Sequence, residues 1–356
     1  MADTQQRIPW VDALRGLAII LMVPANLSPY FAEPHPMWFR ILGSFAAPVF
    51  IMLSAGMVIL TAERHSLNYF LKRGGLIILT GALIDTLLWK IFPFTSFDVL
   101  YPIGLALPLM YMLRNVESRE LLYITIIFVI GTYVLQLIFG YHAETLEVYF
   151  DDMFLPAPGR LLQSWFIDGW FPIFPWLGYA VLGALLFRTI FAGDLVAKYH
   201  IMGIGAALTI IGFVLLFVPV SASTLRNLAN ESILEVRGGY SEIFYPPTFA
   251  YIFTSTGLVI LFATILRRVH HLGPLGILAF FGKHSMMVYI LHQAMGAWII
   301  EPWIASAGLE TIASGLLFTG VNLAVLAGIA LICFGIDKAK LRYPPQSTYA
   351  RILFGR

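Results

Sequence analysis

The chain has 356 residues, 59% of them hydrophobic and only 12% charged, with a mean hydropathy of +0.82 and a formal net charge of +2. A soluble domain carries about 25% charged residues, so this balance excludes one and points to a multi-pass membrane protein. The 22 Lys and Arg are scattered along the chain and fall at the ends of apolar runs, which excludes a nucleic-acid-binding surface.

A spanning helix needs roughly 20 apolar residues. Ten segments qualify, with cores near 11–30, 38–60, 70–92, 98–113, 120–139, 171–191, 201–219, 247–266, 283–300 and 310–336. The fold class is therefore an all-α polytopic membrane protein, about ten transmembrane helices in one bundle, a single domain over residues 1–356. The sequence shows no clear internal repeat.

The first segment reads Arg7-Ile-Pro-Trp-Val-Asp-Ala-Leu-Arg-Gly-Leu-Ala-Ile-Ile-Leu-Met-Val-Pro-Ala-Asn26. Its apolar run has the length of a signal peptide, but Asp12 and Arg15 flank it and no small-x-small cleavage site follows. It reads as a retained helix. Asp12 and Arg15 stand at its start, Asn26 near its end, and His35 and Trp38 in and after the short turn that follows. Polar groups cost free energy in hydrocarbon, so their default reading is functional.

Further along, Lys72 and Arg73 open the third segment and Asp85 lies deep within it. The fourth is short and holds Pro102 and Pro108, which kink a helix or make it re-entrant. Connections 140–170 and 220–246 are acidic and aromatic. The sixth opens on two prolines, Pro172 and Pro175, ordinary punctuation for a helix start. His270 and His271 are adjacent, so on a helix they do not face each other and make a poor metal pair. The ninth reads Gly-Lys283-His284-Ser285-Met-Met-Val-Tyr289-Ile-Leu-His292, with its polar residues on or near one helical stripe. The single cysteine, Cys333, falls in the last apolar run, so no internal disulfide is possible. No HExxH, CxxC or P-loop pattern occurs, and no metal is expected.

Charge sets the topology. Ten crossings place both termini on one side; with that side cytoplasmic, 17 of the 22 basic residues lie inside. This is a strong positive-inside bias. Arg15 and Lys283 then sit at the cytoplasmic mouth, and Asn26 and His35 at the outer end. Eleven helical residues separate Arg15 from Asn26, about 16 Å at 1.5 Å per residue. That is roughly the reach of an extended phosphopantetheine arm.

Acyl transfer would use these groups. A histidine is a base suited to neutral pH, and an asparagine amide can donate to a thioester oxygen as charge develops there. Each residue also has an ordinary reading alone. His35 serves as an interfacial loop histidine, Asn26 as a helix cap, Asp12–Arg15 as an anchoring pair, Asp85 and His292 as helix–helix hydrogen-bonding groups.

The opening motif, the following "HPMWFRILGSFAAPVFIMLSAG", and then "DVLYPIGLAL", "FPIFPWLGYAVLG" and "GKHSMMVYILHQ" in order resemble the heparan-α-glucosaminide N-acetyltransferase-like membrane proteins. The resemblance implies transfer of an acetyl group from cytoplasmic acetyl-CoA to an extracytoplasmic amino sugar or other glycan acceptor. It implies Asn26 and His35 as the active site, His292 as the late histidine and Arg15 as the opening arginine. On this reading Arg15, Asp12, Lys72, Arg73, Lys283, His284, Ser285, Tyr289 and His292 meet acetyl-CoA, while Asp85 and Trp38 face the acceptor. Its partners would be the lipid bilayer, acyl-CoA, the sugar acceptor and, by likeness alone, a second copy of the chain. The compact layout fits a multi-pass protein of a prokaryotic plasma membrane. Two other classes stay open: a secondary transporter, and a non-catalytic membrane assembly partner.

Overall fold

The computed structural model describes residues 8–350 apart from 143–144, 153–154, 193–194, 218–248, 270–272, 344–346 and 348–349. The expected acidic stretch 220–246, Glu144 and the His270–His271 pair lie in or across the gaps, outside the described residues. Each of the ten expected apolar cores falls on a helix.

Helix α1 spans Pro9–Asn26. Its first turn carries Pro9, whose missing N–H would have had no intrahelical partner there. α2 (Met37–Gly43) and α3 (Ala46–Thr61) form one bent apolar unit. α4 (Leu67–Ile84) runs into a π turn at Asp85–Trp89, and α5 is Leu100–Met112. α6 (Ser118–Phe139) begins with a reciprocal cap, Glu117 and Glu120 each taking the other's backbone N–H. After the short α7 (Pro158–Gln163) come α8 (Ile173–Ala192), α9 (Leu195–Phe217) and α10 (Phe249–Val269). The chain ends with α11 (Gly276–Lys283), α12 (Ser285–Met295), α13 (Glu301–Ser306) and α14 (Gly315–Arg342).

α1 is the hub of the bundle. It packs on α3, α10, α11 and α12, and Leu14, Ala18, Ile19 and Val23 are sealed completely. α8 lies between α3 and α6; α4 pairs with α5 and α9 with α10. Small residues let these helices touch through their backbones. A Cβ at Gly16 would fall on the Leu278 carbonyl, and one at Gly282 on the Asp12 carbonyl, so α1 and α11 cross in backbone contact. Gly74 and Gly104 join α4 to α5 in the same way.

Among the described residues, six segments are long and apolar enough to cross a membrane: Pro9–Tyr30, Trp38–Thr61, Ser118–Phe139, Pro158–Arg188, Phe249–Val269 and Gly315–Arg342. α6 and α14 turn Ile127, Leu137, Leu316 and Leu331 outward, as a lipid-facing helix does. The chain is an integral membrane protein. The fourth expected segment is a helix of 13 residues, about 20 Å long at 1.5 Å per residue and shorter than a ~30 Å hydrocarbon core. The ninth is broken rather than continuous. His284 leaves helical geometry (φ −102°, ψ 19°), and a π turn follows at Gly296–Ile300.

Residues 90–98 and the described residues of 141–171 fold into a cap at the Asn26 end of the bundle. Phe92 N–H donates to Val148 O (2.8 Å), Phe150 N–H to Lys90 O (3.0 Å), Trp170 N–H to Ser96 O (2.9 Å) and Phe171 N–H to Phe97 O (3.0 Å). Asp168 is sealed beneath the cap. Its carboxylate takes Arg160 at 2.6 Å and His142 Nδ1 at 2.6 Å. Glu147 accepts from Trp170 Nε1 (2.7 Å) and from the Tyr149 hydroxyl (2.8 Å). Burial and the Glu147 charge push the Tyr149 hydroxyl up to about 12, so it stays a donor to Glu147.

Candidate active site

The centre of the site is a pair from opposite ends of the sequence. Asn26, the last residue of α1, lies 2.9 Å through its amide nitrogen from His292 Nε2 on α12. His292 is fully buried. Its Nδ1 faces the Val288 carbonyl at 3.0 Å. A carbonyl only accepts, so Nδ1 carries the proton, and the neutral ring presents Nε2 as the acceptor for Asn26. Among the described residues this leaves Asn26 with a second amide hydrogen and its carbonyl oxygen uncommitted.

His35 lies in the turn that follows α1, packed into an aromatic box. It stacks on Phe31 (5.3 Å between ring centres) and meets Phe39 edge-on (5.8 Å), while Phe31 stacks on Phe318 of α14 (4.6 Å). The turn is tied down by backbone bonds between Ala32 N–H and Ile312 O (3.1 Å) and between Ile312 N–H and Tyr30 O (2.8 Å). Nε2 of His35 faces the Phe31 carbonyl at 2.9 Å. Glu33 takes the His35 backbone N–H at 3.0 Å and stands 3.1 Å from Nδ1. A carbonyl only accepts, so Nε2 carries the proton, while Nδ1 makes no hydrogen bond among the described residues. No hydrogen bond joins His35 to the Asn26–His292 pair among the described residues; the two units share one end of the bundle.

Beside the pair, Tyr289 donates to Asp98 at 2.7 Å, and Asp98 also receives the Val99 N–H at 2.6 Å, at the start of α5. Asp85 accepts a hydrogen bond from Tyr101 and is buried.

The other end of α1 carries the charged mouth. Arg15 pairs with Asp12 at 3.0 Å, and the Asp12 carbonyl abuts Gly282, so Lys283 arrives next to them. Lys283 Nζ (2.6 Å), His284 Nε2 (3.0 Å) and Lys340 Nζ (3.1 Å) converge on the Asp337 carboxylate of α14. Ser285 begins α12 immediately beyond.

The fold thus gathers Asp12, Arg15, Lys283, His284 and Ser285 at one end, and Asn26, Tyr289 and His292 nearer the other. It does not gather all the expected residues. Lys72 and Arg73 sit on α4, which packs on α5; Arg73 donates to Tyr69 (3.1 Å). Trp38 is 64% exposed on α2. Asp98, Glu33, Asp337 and Lys340 belong to the assembled groups and were not singled out from the sequence. Asp98 stood in view as the first residue of "DVLYPIGLAL". Asp337 was marked only by being a lone acid closing the last apolar run.

A family model described as heparan-α-glucosaminide N-acetyltransferase, catalytic, matches residues 7–218. The chain belongs to this family. The matched stretch contains Arg15, Asn26, Glu33, His35, Asp85 and Asp98, and stops short of the ninth segment with His292. No curated protein matches the chain. Membership makes the protein a membrane-embedded member of an acetyltransferase family.

Proposed function

We propose that the protein takes an acetyl group from cytoplasmic acetyl-CoA and delivers it to an amine or hydroxyl of an extracytoplasmic sugar, with about ten crossings and both termini cytoplasmic. The observation that carries this reading is the Asn26–His292 bond. It joins the buried His292 to the part-buried Asn26, 266 residues apart in sequence, at the opposite end of α1 from a cluster of cations. An apolar bundle needs no such pair for anchoring, and groups of this kind mark function.

The residues present suit acetyl-CoA. Arg15, Lys283 and Lys340 supply the charge for its phosphates, with Lys283 and Lys340 moving from Asp337 to the incoming anion. The path along α1 to Asn26, about 16 Å by helical rise, has the length of the pantetheine arm. The thioester supplies an activated acyl carbon with a thiolate leaving group. The free Asn26 amide hydrogen donates to the carbonyl oxygen as negative charge builds there. His292 holds that amide in place and excludes water by its burial. His35, its backbone held by Glu33 and its Nε2 proton by the Phe31 carbonyl, takes at Nδ1 the proton lost by the acceptor as the new C–N or C–O bond forms and the C–S bond breaks. Lys72, Arg73 and Trp38 are given no role in this path.

The test is direct. Purified protein should be stabilised against heat by acetyl-CoA and by CoA. Mass spectrometry should find acetylated products from an amino-sugar panel, and His35→Ala should abolish them. Absence of any thermal shift and any product would overturn the reading; full activity in His35→Ala would overturn the role given to that residue.

A further inference from the structure

The helix that carries His292 has a break on one side and a change of hydrogen-bond register on the other. It starts after the break at His284 and ends in the π turn at Gly296–Ile300. A continuous helix inherits its rotation about its own axis from the turns beyond it. The 11 residues of α12 begin at a break and run into a shifted register, so they inherit little of it. Their setting falls to side-chain anchors on neighbouring helices. Three are present: His284 on Asp337 of α14, Tyr289 on Asp98 at the start of α5, and His292 on Asn26 of α1.

The Tyr289 anchor is the one coupled most closely to the active pair. Tyr289 and His292 are three residues apart and so share a helix face. Their rings are in edge contact, with centres 5.4 Å apart and planes at 76°. Asp98 is itself held, because its other oxygen receives the Val99 N–H. The hydrogen bond therefore runs from the backbone of α5, through Asp98 and the Tyr289 hydroxyl, to the ring that borders His292.

We propose that Asp98 is a positioning residue for acetyl transfer. By holding the Tyr289 hydroxyl it fixes the rotation of α12, and with it the aim of His292 Nε2 at Asn26. Turnover as a readout rests on the acetyltransferase reading above; the aim of the ring does not.

Three variants of the full-length protein test this: Tyr289→Phe, which keeps the ring and removes only the hydroxyl, Asp98→Ala, and the two combined. Misplacing a reacting group by about 1 Å costs on the order of 100-fold in rate. Each single variant should lose about that factor in kcat, with KM for acetyl-CoA unchanged within about twofold. The double variant should lose no more than the more damaging single, because both remove the Tyr289–Asp98 bond. Nitrogen-15 spectra of histidine-labelled protein supply the second readout. The wild type should show His292 protonated on Nδ1 alone, and Tyr289→Phe should shift that signal. Additive losses, or wild-type kcat in Tyr289→Phe with an unshifted His292 signal, would overturn the proposal. Should Asp98→Ala fail to fold, Tyr289→Phe decides alone. Should the wild type turn over no acetyl-CoA, the acetyltransferase reading fails, and an unshifted His292 signal in Tyr289→Phe still overturns the positioning role.

Discussion

Asn26 commits one amide hydrogen to His292, and that bond has a stability consequence separable from its chemistry. In Asn26→Ala the buried Nε2 of His292 loses its donor. An unsatisfied buried polar group costs about 1–3 kcal/mol, so this variant should unfold at a lower temperature and lose transfer activity together. His292→Gln places an amide oxygen within the same region and retains a partner for Asn26. It should keep most of the thermal stability and lose activity. If both variants lost stability equally, the pair would be packing rather than chemistry. At this scale the sequence exposed one half of the site. Polar residues in an apolar run declare themselves, which is why Asn26, His35 and His292 stood out. Their pairing did not, because a contact across 266 residues depends on how α12 meets α1. Glu33 passed unnoticed since an acid in a loop is unremarkable until its carboxylate is seen beside His35.

Among the elements, the crossing of α1 and α11 governs the charged mouth. Backbone meets backbone at Gly16 and Gly282, and a backbone carbonyl cannot swing aside as a side chain can. Gly282→Val should therefore push the helices apart, at the upper end of the ~1–3 kcal/mol typical of overpacking. The readout is a lower melting temperature with a raised KM for acetyl-CoA, since Lys283 moves with Gly282. The cap answers to another residue. Asp168 is sealed between Arg160 and His142, and removing one partner of a buried pair costs about 3–5 kcal/mol. Arg160 and His142 keep some access to water, so Asp168→Ala should fall below that range. Limited proteolysis should then cut within 141–171 in the variant and spare the wild type. Each of the ten hydrophobic runs falls on a helix, because apolar content is a local property. They did not reveal the breaks in the ninth. The run from Leu275 to Ile300 is mostly apolar and long enough for one unbroken helix, and the His284–Asp337 bond at the joint depends on where α14 lies.

For the whole molecule, the proposed ten-crossing arrangement makes a prediction about sides. Cys333 is fully buried, so the native chain should stay dark to a membrane-impermeant maleimide. With Cys333 replaced by Ala, a cysteine in place of the exposed Asp151 should label in intact cells. A cysteine in place of the exposed Glu63 should label only after the membrane is opened. Labelling of both in intact cells would overturn the assigned topology. The charge pattern gave this arrangement its direction because the insertion machinery reads basic residues; helix geometry alone carries no sign. The interrupted helix has one more consequence. α12 is a short rod pinned near one face by Asp337 and near the other by Asn26. A nucleotide that draws Lys283 from Asp337 loosens the first pin, and whatever engages Asn26 disturbs the second. Two ligands acting on one rod exchange free energy, and linkage makes that exchange symmetric. The factor by which a sugar changes the dissociation constant of CoA should equal the factor by which CoA changes that of the sugar.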